Sequence, residues 1–128
     1  MVSYFFDTCV IIEILKSNPK FDEYKDEHKT FTIFNLAEIY HCLLKDLDSN
    51  EANKIYYTLN SFIQPVSDKI LIEAIKFRID HNDKLTKKQK PLSYADAIGY
   101  IYSKQNNLKF LTCDDQFIDL PNVEHIKK

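Results

Sequence analysis

Residues 2–16 read VSYFFDTCVIIEILK, and this stretch decides the fold. Val2 to Phe6 is rich in aromatic and β-branched side chains, the composition of a buried strand. The run stops at Asp7. From Thr8 to Lys16 the period changes, and Ile11, Ile12 and Leu15 recur on one helical face. A strand that passes through an acid into a helix is the first half of a βα unit, and it predicts a parallel sheet if the pattern returns.

It does return. Asn18-Pro19 breaks the first helix. Phe21 to His28 predicts a short charged helix, and Thr30 to Ile33 predicts a strand. Asn35 can cap a long helix running to about Leu47, striped by Leu36, Ile39, Tyr40, Leu43 and Leu47. Ser49-Asn50 separates it from a helix over Glu51 to Phe62. Ile63 to Val66 predicts a brief strand, and Ser67-Asp68 opens a helix carrying Leu71, Ala74, Ile75 and Ile79. Asp83 to Pro91 (DKLTKKQKP) is polar and basic and reads as a loop. Ser93 begins a helix through about Gln105. Lys109 to Leu111 reads as a strand ending at Thr112, Asp114 to Ile118 as a short helix, and Val123 to Ile126 as a last strand. Short strands alternating with helices give an α/β class with a mostly parallel central sheet. No repeat, low-complexity stretch or linker interrupts it, so one domain over residues 1–128 is expected.

Composition narrows the function. The only glycine is Gly99, which excludes a Gly-rich phosphate loop of either the dinucleotide or the P-loop kind. Cys9, Cys42 and Cys113 are odd in number and form no CxxC, so neither a disulfide framework nor a zinc ribbon is indicated. Reduced thiols in a cytoplasmic protein are expected. The apolar N-terminus is interrupted by Asp7 and Glu13, which fits neither a signal peptide nor a membrane span. The net charge of −2 argues against nucleic-acid binding by overall basicity, but not against an acidic centre neutralised by metal.

The chemistry-bearing residues are acids in recurring places. Asp7 and Asp114 each follow a strand and precede a helix, and Asp96 lies in a first helical turn. In an open α/β sheet the carboxyl ends of strands and the N-termini of helices meet at one edge, where ligands bind. Each acid also has an ordinary reading. Asp7 and Asp114 could cap the helices they precede, and Ser93-Tyr-Ala-Asp96 has capping-box spacing. Glu38 alone is a mid-helix glutamate off the apolar stripe.

Taken together, four segments resemble the PIN-domain nucleases, the family that includes the toxin ribonucleases of VapBC-type toxin–antitoxin pairs. Phe5-Phe6-Asp7-Thr8 is similar to the opening strand and first acid. Asn35-Leu36-Ala37-Glu38-Ile39 is similar to the second motif, Tyr94-Ala95-Asp96-Ala97-Ile98 to the third, and Leu111-Thr112-Cys113-Asp114-Asp115-Gln116-Phe117 to the closing T-x-D-x-x-F element. Many members carry Ser or Thr where this chain has Asn35, and Asp115 blurs the fourth acid, for which the motif favours Asp114.

The resemblance implies a three-layer α/β/α fold. It also implies an endoribonuclease that cleaves RNA to 5′-phosphate and 3′-hydroxyl ends, most simply the toxin half of a pair. Asp7, Glu38, Asp96 and Asp114 would hold Mg²⁺ or Mn²⁺, two ions when active, since hard oxygen ligands suit these metals. Packing acids without metal is unfavourable: a like-charge pair at about 4 Å costs about 4 kcal/mol at an effective dielectric of about 20. Thr8 and Thr112 could hydrogen-bond the carboxylates, though threonine is ordinary at strand ends and turns. An RNA substrate, a cognate antitoxin and a homodimer are the partners implied. Antitoxins of this family often lay a tail in an apolar groove, which the aromatics Tyr56 and Tyr57 could line or, for at least one of them, leave for the core.

Other features are weaker. Lys84, Lys87, Lys88 and Lys90 could meet substrate phosphates or simply solvate a loop. Glu38 and His41 have the E-x-x-H spacing of di-iron bundles, but no second copy exists. A haloacid-dehalogenase-like phosphatase with Asp7 as nucleophile needs a second Asp where Cys9 stands. A receiver domain needs paired acids at the first strand. A non-catalytic PIN-like binding module is the remaining alternative, and the filling of all four acidic positions argues against it.

Overall fold

The computed structural model describes residues 1–128. Three short strands form a fully parallel sheet in the order β1 (Tyr4–Phe6), β2 (Lys109–Thr112), β3 (Val123–His125). Five helices connect or flank them: α1 (Thr8–Leu15), α2 (Ile33–Asp46), α3 (Ser49–Asn60), α4 (Asp68–Asp83) and α5 (Tyr94–Gln105). Register pairs Phe5 with Phe110 and Phe6 with Leu111, so β1 and β2 end side by side. The Asp7 N–H extends the ladder by one bond to the Leu111 carbonyl, at 2.9 Å.

Side chains alternate across a strand. Phe5 and Phe110 stack at 5.8 Å on one face of the sheet, and α5 covers them. There the lone glycine has its use. A Cβ at Gly99 would sit 2.6 Å from the Phe5 ring, so only glycine lets α5 approach this closely. Behind α5 lies α4, with the Phe77 and Tyr100 rings 5.1 Å apart. The other face carries Tyr4 and Phe6, and Tyr24 meets Tyr4 edge-on at 5.5 Å. Helix α1 packs on β2 and α2, and α2 packs on α3. The aromatic core of Phe5, Phe6, Phe21, Phe31, Phe110 and Phe117 is fully buried. No helix is long and apolar enough to cross a membrane.

Several expected elements take another form. Phe21 to His28 is not a helix: a 3-10 turn at Pro19–Phe21 is followed by further turns. Only Phe21 and Tyr24 of that segment are buried, too few to give a helix a packed face. The expected strands at Thr30–Ile33 and Ile63–Val66 shrink to one parallel bridge between Phe31 and Ile63. Pro65 has no N–H to extend it, and Thr32 turns the chain into α2. Thr32, not Asn35, is the N-cap of α2. Asn35 is the third residue of that helix and accepts both the Thr32 N–H and the Thr32 hydroxyl, each at 3.0 Å. Ser49 belongs to α3, which Asp48 caps. Asp115–Phe117 is a 3-10 turn capped by Asp114. Tyr56 packs against the core, whereas Tyr57 is exposed.

Candidate active site

The carboxyl ends of β1 and β2 and the N-termini of α1 and α5 open onto one cleft of about 520 Å³. Its walls include Asp7, Thr8, Glu38, Ser93, Asp96 and Asp114, with Cys9, His41, Cys42 and Lys90 around them. All four acids singled out in the sequence, and Thr8, therefore lie in one place. Thr112 is fully buried beneath it.

Local structure sets each side chain. Asp7 follows the last residue of β1 and caps α1, accepting the Thr8 N–H at 2.9 Å on Oδ1. Its Oδ2 accepts the Thr112 hydroxyl at 2.7 Å. The same Thr112 oxygen accepts the Asp114 N–H at 3.0 Å, so one hydroxyl ties two acids together. Thr8 does the matching work opposite. Its hydroxyl donates to Glu38 Oε1 at 2.7 Å and accepts Asn35 Nδ2 at 3.1 Å. Asp96 accepts the Ser93 N–H at 3.0 Å on Oδ2, and the Ser93 hydroxyl accepts the Asp96 N–H at 3.1 Å, a closed capping box. Asp114 caps the next turn by accepting the Gln116 N–H at 3.0 Å.

The capping readings are thus correct as geometry, and they leave the acids in the cleft. A cap uses one carboxylate oxygen. For Asp96 that oxygen is Oδ2, and the residue still lines the cleft. Asp115, by contrast, turns away and meets His125 Nε2 at 3.1 Å, with most of its side chain in solvent.

The electrostatics are those of crowded acids. Burial, then the neighbouring Cys9 and Asp96, pushes the Asp7 carboxyl well above the usual aspartate range, against the Thr112 and Thr8 hydrogen bonds that pull it down. Burial and the charge of Asp96 raise Glu38. Burial and the charge of Asp114 raise Asp96. Lys90 opposes the rise at both Glu38 and Asp96 and is the lysine of the basic run that reaches the cleft. Lys84 is held by Asp80 at 3.1 Å instead. Cys9 is a poor nucleophile, because its contact with Cys113 and its burial both hold its thiol far above the ordinary range.

No three Asp, Glu, His or Cys side chains are drawn into a ready-made ligand cage. The carboxylates instead line the cleft walls and feel one another as charges. An all-carboxylate donor set on the walls of a solvent-open cleft fits a hard divalent cation in kind, and no basic side chain is bonded to Asp7.

The family model of the PIN domain matches residues 4–123. The chain belongs to the PIN domain family. Solved structures with similar folds include a toxin–antitoxin complex from Klebsiella pneumoniae, at 17% identity and TM-score 0.74, covering 95% of this chain and 96% of that one. VapBC2 from Rickettsia felis, bound to a DNA fragment from its promoter, is similar at 16% identity and TM-score 0.70, covering 100% of this chain and 99% of that one. FitAcB from Neisseria gonorrhoeae is similar at 19% identity and TM-score 0.64, covering 97% and 96%. No curated protein matches by sequence.

Within this PIN domain, sequence reading understated three residues. Ser93 is more than a helix cap: its hydroxyl also lies 3.5 Å from Glu38 Oε2 and so spans two acids. Asn35 is more than a capping residue, because it orients Thr8 against Glu38. Cys9 lines the cleft and its sulfur accepts the Cys113 N–H at 3.0 Å. Each sits within three residues of an acid or of its threonine, which was the available signal.

Proposed function

We propose that this PIN domain is a divalent-metal-dependent endoribonuclease, the toxin half of a toxin–antitoxin pair acting in the cytoplasm. The observation that carries the reading is the meeting of Asp7, Glu38, Asp96 and Asp114 in one cleft, with three of their carboxyls raised by burial and by one another. Two kinds of support stand beside it. PIN domains are generally metal-using nucleases, and the structures of similar fold come from toxin–antitoxin complexes.

Asp7, Glu38 and Asp96 are the main candidate ligands of Mg²⁺ or Mn²⁺, direct or through water, with Asp114 completing the cluster or orienting a water. Bound metal would supply Lewis acidity at the phosphodiester and a more acidic water. The rest falls to the chain itself. Thr112 fixes the orientation of Asp7 and places the Asp114 backbone; Thr8, held by Asn35, fixes Glu38. Ser93 anchors Asp96. Lys90, at the rim, offers a cation to a substrate phosphate.

Beside the cleft runs an apolar groove lined by Ile12, Leu15, Leu43, Leu47 and Ile55, sharing Ile12 and Cys42 with it. An antitoxin tail laid there would reach the acids. Tyr56 and Tyr57 do not line it. A homodimer with about 800 Å² buried per partner belongs to the same reading, and light scattering showing a persistent monomer at high concentration contradicts that part. The nuclease itself is tested by incubating purified protein with RNA and Mn²⁺ or Mg²⁺. Cleavage that EDTA abolishes is expected; full cleavage in chelator, or none with metal, contradicts the reading.

A further inference from the structure

The N-terminus of α5 carries an aromatic side chain that the proposed chemistry does not use. Tyr94 is 57% exposed, although it stands between Ser93 and Asp96 in the chain, both of which line the cleft. Tyr94 and Asp96 are two residues apart in a helix, so they project to opposite sides of its end. Tyr94 therefore points along the surface toward α4 and not into the acids. There it meets Arg78, whose guanidinium carbon sits 4.2 Å from the centre of the tyrosine ring.

This pair is held, not floating. Arg78 Nε donates to the Leu92 carbonyl at 2.9 Å, and the Leu92 N–H donates to Asn82 Oδ1 at 2.9 Å. Two residues of α4 thus pin the segment just ahead of Tyr94, and the cation is fixed on one face of its ring. The other exposed tyrosine, Tyr57, has only another tyrosine beside it and lies on α3. A planar ring backed by a fixed guanidinium, exposed on the helix end whose Ser93 and Asp96 line the cleft together with Lys90, has the make-up of a base-stacking platform with a phosphate contact within the same cleft.

We propose that Tyr94, supported by Arg78, stacks a base of single-stranded RNA close to the scissile phosphate and so sets how the strand enters the cleft. This rests on the ribonuclease reading above. The phosphodiester would lie over the acids with Lys90 alongside, and the chain would continue over α5's N-terminus, where the base of a neighbouring nucleotide covers the ring. A duplex keeps its bases stacked on one another and has none to give, so the platform selects unpaired RNA.

The test is steady-state cleavage of a single-stranded oligoribonucleotide in Mn²⁺ by the full chain and three variants. Tyr94→Ala should raise KM about tenfold, the scale of one lost base stack, while kcat stays within about twofold. Tyr94→Phe should restore the wild-type KM, because stacking needs the ring and not the hydroxyl. Tyr94→Leu, apolar but without a flat face, should behave as Ala. The rise in melting temperature caused by Mn²⁺ should be equal in all four proteins. An unchanged KM in Tyr94→Ala, a Leu variant as good as Phe, or loss of the Mn²⁺ effect overturns the platform while leaving the nuclease standing. A wild-type protein that cleaves no RNA with metal overturns both.

Discussion

Thr112 donates its hydroxyl to Asp7 Oδ2 at 2.7 Å, joining the ends of two parallel strands that lie 105 residues apart in sequence. The register of β1 on β2 makes the pair adjacent, and the same oxygen accepts the Asp114 N–H. One small side chain therefore controls two acids. Thr112→Val keeps the shape and removes the hydrogen bonds. It leaves a buried carboxylate short of a donor, which costs about 1–3 kcal/mol. Cleavage should fall about 10- to 100-fold, as for other partners that orient metal ligands. Thr112→Ser should recover most of both. Denaturant unfolding and an RNA cleavage assay check this; a Val variant with wild-type activity would show that Asp7 needs no fixing.

Asp114 and Asp115 should differ sharply. Asp114 lines the cleft, while Asp115 is solvent-facing and paired with His125. Asp115→Asn should keep activity within about twofold and stability within about 0.5 kcal/mol, the range of an exposed substitution. Asp114→Asn should lose the larger part of activity. The reverse ranking in a cleavage assay would move the fourth acid by one position.

Acid should stabilise the metal-free protein. Asp7, Glu38 and Asp96 are all raised above their ordinary values near 3.8 and 4.5, so the native state binds protons more tightly than the unfolded chain does. The stability these three groups contribute is fully present below those ordinary values and is lost as pH rises through the raised ones. In EDTA, unfolding free energy should therefore fall as pH rises above those ordinary values. Mn²⁺ at neutral pH should reverse the loss by occupying the native state alone. Melting curves across pH, with and without Mn²⁺, check it. A metal-free stability that climbs steadily toward pH 7 contradicts the proposed crowding of charge.

Much of this was legible in the chain. VSYFFDTC announced strand, acid and helix because β-branched and aromatic residues change to a helical period at Asp7, and the segment from Lys109 to Asp114 repeated the passage from strand to acid. The Asp96 box was readable because a cap is local chemistry. What the sequence did not yield depends on distance. Thr30–Ile33 has strand composition, but no neighbour continues its ladder beyond Ile63. Asn35 looked like a cap, and only the approach of α1 to α2 reveals that it holds Thr8. Lys90 was one of four similar lysines until the fold turned it toward the acids. Glu38 was named by its motif alone, and its partner Thr8, 30 positions earlier, shows only in the fold.

Asp96→Asn separates acids that bind metal and cleave RNA from acids that only cap helices. Asparagine keeps the side chain's shape and can still accept the Ser93 N–H, so the capping box survives. A mere cap would show a stability change within about 1 kcal/mol and no effect on catalysis. A metal ligand would behave otherwise. Removing one charge from the cluster should raise the melting temperature of the metal-free protein, shrink the stabilisation by Mn²⁺, and lower RNA cleavage by orders of magnitude. The measurement is a pair of melting curves, with and without Mn²⁺, beside one cleavage assay. A variant that cleaves RNA normally and gains as much from Mn²⁺ as wild type would mean that Asp96 is a helix cap and not a metal ligand.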